Sequence, residues 1–278
     1  MIELRDVNPT LCKMTDEEYF SEYNRWMTAH NMAKWDEDPD KFWTELDNPQ
    51  KWTKSETMVL GSAVHAWVLE GRKEFDSRYS IAPDQYINKK TGKMWGRTTK
   101  TFGNLVEDTS IDPDFMLCPS SIVPIMKMSE NCHSHKLAGP LFEEGQPELC
   151  GRFDIGGVPF QGKFDWINPE SGYFVDLKTT ASLAGFSESF DKFNYNRQMA
   201  LYRRIFKSCV GFDPKVYVVA VQKTEPWPVA CYEVQPATLS AGDMWLNQKI
   251  PSFRRALEEI ESNGGKYTPT WETRLGGL

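Results

Sequence analysis

The sequence predicts an α/β (α+β) fold, a central mixed sheet flanked by helices, with a helical part on its N-terminal side. Three observations carry this. Residues 147–180 hold three short apolar-rich runs separated by two turn signals, the pattern of an antiparallel meander. A helical pattern over 190–207 then leads into the valine-rich run Lys215–Gln222. Upstream, apolar residues recur at helical spacing over 15–35, 56–72 and 120–139.

Composition is that of an ordinary globular chain: 278 residues, 40% hydrophobic, 26% charged. A chain of this length can bury a sizeable core as one unit. No apolar run approaches the roughly 20 residues of a membrane span. The first residues, Met1-Ile2-Glu3-Leu4-Arg5-Asp6, lack the basic-then-apolar form of a secretion signal, so a cytoplasmic location is expected. Six cysteines are scattered without any Cys-x-x-Cys, which reads as reduced, mostly buried thiols. Cys132-His133-Ser134-His135 has no second ligand pair at zinc-finger spacing. A net charge of −7 neither advertises a nucleic-acid partner nor excludes one, because acidic metal ligands and a basic path can coexist.

Taken in order, residues 15–35 read as one helix. Thr15 is its N-cap, Asp16, Glu17 and Glu18 fill its first turn, and Tyr19, Tyr23, Trp26 and Met27 form its stripe. Pro39 and Pro49 mark a polar break, and Trp35, Trp43 and Trp52 read as packing residues. Residues 56–72 form a helix with Leu60, Ala63, Val64, Trp67 and Val68 on its apolar face. His65 lies beside that face, with room left by Gly61 and Ser62; on spacing alone, a lone helical histidine reads as structural. Residues 83–104 are loop-like and basic, with Lys89, Lys90, Lys93, Arg97 and Lys100 around Thr91-Gly92. They are either a solvated loop or contacts to a phosphate backbone. Residues 120–139 read as a helix buried on one side.

Gly156-Gly157 suits a two-residue hairpin, which sets Ile155 against Val158 and Glu148 against Asp165. The loop near Glu170 permits two registers, one of which sets Asp165 against Asp176. Three carboxylates then form a row with Cβ atoms roughly 5 Å apart. Lys178, two residues after Asp176, shares their face. Without a cation, each adjacent pair costs about 3 kcal/mol at an effective dielectric near 20. The row is therefore either a hard-cation site or a solvated sheet edge. Beyond it, Tyr195, Gln198 and Tyr202 share one helical face, an active-site wall or a helix edge with snorkelling tyrosines. Residues 229–234 can pair with Lys215–Gln222, and an amphipathic helix over 239–261 stops at Gly264-Gly265. The expected organisation is a single unit: a helical part over 1–75 carrying His65, a basic loop and helix over 76–147, a core over 148–262 and a tail over 263–278.

The ordered set His65, Asp165, Asp176-Leu177-Lys178 and Gln198-x-x-x-Tyr202 resembles the PD-(D/E)XK nuclease core, the restriction-endonuclease-like fold. Together with Gly61 to Glu70 and Asn88 to Lys93, it is similar to the RecE-like (exonuclease VIII) phage-type branch, a relative of lambda exonuclease. Phe164 stands where proline gives the superfamily its name, and the cysteines do not fit an iron–sulfur quartet. The resemblance implies Mg²⁺, or Mn²⁺, held by Asp165 and Asp176 with the Leu177 carbonyl, and His65 completing the site. Glu148 joins the ligands from the register argument alone. Lys178 would orient the attacking water, Gln198 and Tyr202 would orient substrate, and Lys89, Lys90, Lys93 and Arg97 would contact DNA. The implied activity is 5′–3′ digestion of double-stranded DNA, leaving 3′ single strands for an annealing protein in phage-type recombination. A homo-oligomer in the cytoplasm of a bacterial host would fit that role. An endonuclease on the same core, and a DNA-binding remnant without activity, are the alternatives.

Overall fold

The structure is a computed structural model that describes residues 2–21, 25–48 and 53–269. Among these, six strands form one sheet in chain order: β1 (Thr10–Lys13), β2 (Gln146–Ile155), β3 (Val158–Asn168), β4 (Tyr173–Thr180), β5 (Lys215–Gln222) and β6 (Val229–Glu233). Every neighbouring pair is antiparallel except β4–β5, so the sheet is mixed. A parallel pair needs a crossover, and helices α8 (Phe186–Lys192) and α9 (Tyr195–Val210) supply it. Before β2 come α1 (Asp16–Ser21), α2 (Ala29–Glu37), α3 (Pro39–Asp47), α4 (Glu56–His65), α5 (Arg72–Arg78), α6 (Lys100–Thr109) and α7 (Ile122–Ser134). The long α10 (Pro236–Ser262) follows β6.

Both faces of the sheet are covered. Alternation along β5 sends Val216, Val218 and Ala220 into one core and Val219 and Val221 into the other. The first core joins Phe160, Phe164 and Phe174 to α2, α3, α9 and α10 through Met32, Trp43, Met199, Phe206 and Phe253. The second joins Val175 and Leu177 to α4 and α7 through Val59, Val64, Ile125 and Met128. Each such fully buried side chain contributes about 1.5–3 kcal/mol.

Two close approaches set where the helices lie. Gly151 and Gly162 face each other across β2–β3. A Cβ on Gly162 would stand 2.6 Å from the Tyr202 ring and 2.8 Å from Ile205. Bare backbone there lets α9 settle onto the sheet. On the other face, a Cβ on Gly61 would meet Thr179 Oγ1 at 3.3 Å, so α4 lies close to the end of β4.

The expected hairpin forms, with Ile155 against Val158 and φ of 61° and 81° at Gly156 and Gly157. Other expectations need correction. The helix expected over 15–35 is two helices: α1 ends at Ser21, and α2 starts after Thr28, whose side chain accepts from Asn31 N. Met27 between them is fully buried and bridges Phe160, donating to the Pro159 carbonyl and accepting from Gln161 N. Those sheet bonds leave it no helical partners. The helix expected over 190–207 is likewise split, because Asn194 adopts a left-handed φ of 53° ahead of α9. The basic stretch is no open loop: Ile87–Asn88 pairs with Lys93–Met94, and α6 starts at Lys100. β1, which the sequence reading lacked, pairs along β2 from Thr10↔Arg152 to Lys13↔Leu149. Trp35 and Trp43 are buried as expected, whereas Tyr23, Pro49 and Trp52 lie outside the described residues.

Candidate functional site

The site forms where the sheet stops being regular. The β3–β4 ladder runs from Asn168↔Tyr173 to Trp166↔Val175 and ends there, in the register that points Asp165 toward Asp176. At that point the pleat of β3 reverses: Phe164 packs into one core and Trp166, two residues on, into the other. Across from it, Glu148 takes a left-handed φ of 59°, rare for a residue with a Cβ, while Pro147↔Trp166 and Leu149↔Phe164 keep the register on either side. The Asp165 carboxylate fills the split, and its Oδ2 accepts the Leu177 N–H at 2.7 Å in place of a ladder carbonyl. The expected regular row of three carboxylates on one face is therefore replaced by a group gathered around a local opening of the sheet.

His65 ends α4, and its Nδ1 stands 3.6 Å from Asp165 Oδ1. Immediately after it the helix widens into a π-turn over Ala66–Glu70, closed by Gly71 at a φ of 87°. Donor atoms of His65, Glu148 and Asp165 lie within 4.8 Å of one another. Asp176 sits on the other side of Asp165. Its Oδ1 accepts from Gln198 Nε2 at 3.3 Å, and Lys178 Nζ stands 2.5 Å from Oδ2 as an ion pair without hydrogen-bond alignment. That leaves a buried carboxylate oxygen with no aligned donor. Gln198 and Tyr202 are in contact on α9, and the Lys178 ammonium lies 4.8 Å from the Tyr195 ring centroid. Tyr195 and Gln198 of α9 thus face Lys178 and Asp176, while Tyr202 stands behind Gln198 and packs on Phe164 and Phe174.

Charge is concentrated here. Burial pushes the Asp176 carboxyl up to about 6, with Asp165 adding to the rise against the pull of Lys178. Burial opposes ionisation of Asp165 too, but His65, Lys178 and the Leu177 N–H hold it below the usual carboxylate range. The His65 imidazole is raised: burial works against its charge and Asp165 outweighs it. Glu148 is raised by burial and by Asp165. One imidazole and two carboxylates within reach of each other, beside a buried carboxylate oxygen, fit a divalent cation. Imidazole extends the preference from Mg²⁺ toward Mn²⁺ and its neighbours.

Two residues escaped the sequence reading. Lys163 Nζ lies 2.6 Å from both Glu148 Oε2 and Asp16 Oδ1. Its place two residues before Asp165 was a signal available in the sequence; the arrival of Asp16 from α1 left none. These groups border a cleft of about 630 Å³ that also takes in Lys13, Glu70, Arg78 and Phe115. Of the expected DNA contacts, Lys89, Lys90 and Lys93 are exposed, while Arg97 is bonded to Asp114 at 3.1 Å and largely covered. His133 contacts the Val68 carbonyl and His135 accepts from Leu137 and Ala138, which gives both structural roles. All six cysteines are free thiols. No helix among the described residues is long and apolar enough to cross a membrane.

A mixed sheet opened at an aspartate, with an Asp-x-Lys strand beside it and helices on both faces, defines a PDDEXK-like domain. The chain belongs to the family described as PDDEXK-like domain of unknown function (DUF3799), whose profile matches residues 28–264. Comparison with curated proteins finds no match. The chain is similar in fold to a crystal structure of a putative exonuclease from Eubacterium rectale. The TM-score is 0.65 and the identity 14%, over 92% of this chain and 88% of that one. A structure of SSO0001 aligns at a TM-score of 0.28 with 18% identity over 51% of this chain and 66% of that one, too distant to carry an argument.

Proposed function

We propose that this protein is a metal-dependent deoxyribonuclease, an exonuclease of the RecE-like, phage-type branch related to lambda exonuclease. The observation that carries the reading is the cluster of His65, Glu148 and Asp165 next to the Asp176–Lys178 pair. Asp165, Asp176, Glu148 and His65 would hold Mg²⁺ or Mn²⁺. The Leu177 carbonyl would assist, since a strand residue turns its C=O to the side its N–H faces, here the side of Asp165. A bound divalent ion supplies charge neutralisation at the phosphate and a more acidic water. Lys178, held by Asp176, presents an ammonium to the attacking water and to the developing phosphate charge. Gln198 fixes the far oxygen of Asp176, and Tyr202 backs Gln198. The Eubacterium rectale protein supports exonuclease over endonuclease through its description. Duplex DNA as substrate, 5′–3′ polarity, 3′ single strands passed to an annealing protein and a homo-oligomeric assembly complete the proposal.

The test compares an end-labelled linear duplex with a closed circle, each with Mg²⁺, with Mn²⁺ and with chelator. Expected is metal-dependent release of the label from the 5′-labelled end of the linear duplex ahead of the 3′-labelled end, and an intact circle. Digestion of the circle would make the protein an endonuclease. Absence of any metal-dependent release from either substrate would leave only the DNA-binding remnant.

A further inference from the structure

We propose that the hairpin over residues 87–95 is a platform for single-stranded DNA, on which Trp95 stacks against an unpaired base while Lys89, Lys90 and Lys93 meet the phosphates. The proposal rests on the nuclease reading and adds the strand state of the DNA that the protein holds.

The hairpin is a built element. Its two strands pair Ile87 with Met94 and Asn88 with Lys93. Met94 is buried in a small core of its own with Ala82, Tyr86, Phe102, Leu105 and Met116, and Ile87 packs against it. Alternation then turns Lys93 to the opposite face, and Trp95, one residue past the strand, follows it outward and stays 40% exposed. The turn is fixed from inside and from outside. The Asn88 carbonyl accepts from Thr91 and Gly92, and its side chain accepts from Lys90 N. The Gly92 carbonyl accepts from Cys118 Sγ and from Ser120 Oγ, both at 3.2 Å. Lys89, Lys90 and Lys93 are exposed, and among the described residues none has a carboxylate partner. A part-exposed indole on the same short hairpin as three exposed lysines without carboxylate partners, in a chain of net charge −7, is the composition of a nucleic-acid contact.

Arg97 does a different job from the lysines. It donates to Asp114 Oδ1 at 3.1 Å and to the Pro113 carbonyl at 2.7 Å, and its guanidinium lies over Phe102. Asp114 Oδ1 also accepts from Lys54 N, and Lys54 Nζ donates to Ser62 Oγ, one turn before His65 on α4. The stem of the hairpin is thereby tied to the helix that carries His65, and Phe115, next to Asp114, lines the cleft that holds Glu148. Lysines bind the phosphates of either strand state, whereas the face of an indole needs a base face that a duplex keeps stacked on its neighbours. Trp95 therefore selects the single strand.

The test uses the full chain in chelator, so that nothing is digested, with anisotropy of labelled oligothymidylate and of a labelled blunt duplex. Trp95→Ala is expected to weaken oligothymidylate binding by about tenfold and leave the duplex unchanged, with Trp95→Phe retaining most of the affinity. Replacing Lys89, Lys90 and Lys93 with Gln is expected to flatten the salt dependence of single-strand binding by about two in log–log slope. Arg97→Ala is expected to lower the melting temperature, with wild-type salt dependence in the folded fraction. Wild-type oligothymidylate affinity in a folded Trp95→Ala variant, or an equal loss on the duplex, overturns the proposal. Because the binding is read without metal, its failure is separable from a failure of nucleotide release.

Discussion

Two lysine–carboxylate pairs flank Asp165, and they are built differently. Lys178 and Asp176 sit two residues apart on β4, nearly closed off from solvent, with Gln198 and Tyr195 from α9 completing their surroundings. Lys163 and Glu148 come from different strands, face the cleft, and share their cation with Asp16 of α1, whose side chain is 54% exposed. A buried pair resists rearrangement, because separating it strands a charge in a poorly solvating place. Lys163 is no more exposed than Lys178, but it has two carboxylates at 2.6 Å, so it can shift toward one when the other is drawn away. The comparison suggests a fixed half of the site on β4 and an adjustable half on β2 and β3.

The largest contrast should appear in catalysis. Asp176→Ala and Lys178→Ala are expected to lower metal-dependent nucleotide release by about a thousandfold or more while the circular dichroism spectrum is retained. Lys163→Gln is expected to lower it by about tenfold, because Glu148 keeps its cluster but loses its anchor. Equal losses at the two lysines would erase the distinction between fixed and adjustable halves.

A pH series without metal sharpens the same comparison. The carboxyl of Asp176 is pushed up to about 6 from the 3.8 of a free side chain, so its ionisation opposes folding. Its contribution is present in full below the unfolded value and is lost as pH rises through about 6. Urea unfolding in chelator should therefore show Asp176→Asn gaining on the wild type between pH 4 and pH 7. A difference that stays flat over this range would mean that Lys178 already neutralises Asp176 in the folded state.

The smallest effects concern the supports. Gly162→Ala brings a methyl against Tyr202 and Ile205 and is expected to cost about 1–3 kcal/mol, read as a lower melting temperature. Asp16→Asn, on an exposed partner, is expected to cost about 1 kcal/mol or less. A larger loss from Asp16→Asn than from Gly162→Ala would show α1 to be part of the site's framework.

What the sequence made legible follows the same division. Asp176-Leu177-Lys178 could be read because two residues on one strand share a face whatever the rest of the chain does. The register of the Gly156-Gly157 hairpin was readable for a similar local reason, and it set Glu148 against Asp165. His65 could not be lifted above a structural role by spacing; the resemblance singled it out, and the fold brings its ring to Asp165 from the opposite side of the sheet. The reversal of the pleat at Asp165 was hidden, because alternation predicts a regular row and only tertiary packing of Phe164 and Trp166 on opposite faces breaks it. Met27 was misread for the reverse reason: its spacing fits a helix, while its burial against Phe160 places it beside the sheet.

The Leu177 amide carries one further consequence. In an unbroken sheet its proton would point at a peptide carbonyl, a partner that never changes charge. Here it points at the carboxylate of Asp165. Its proton chemical shift and its exchange with solvent are therefore tied to the electrostatic state of that carboxylate, and a spectrum of nitrogen-15-labelled protein would follow the occupant of the cluster through a backbone resonance, with no substrate added.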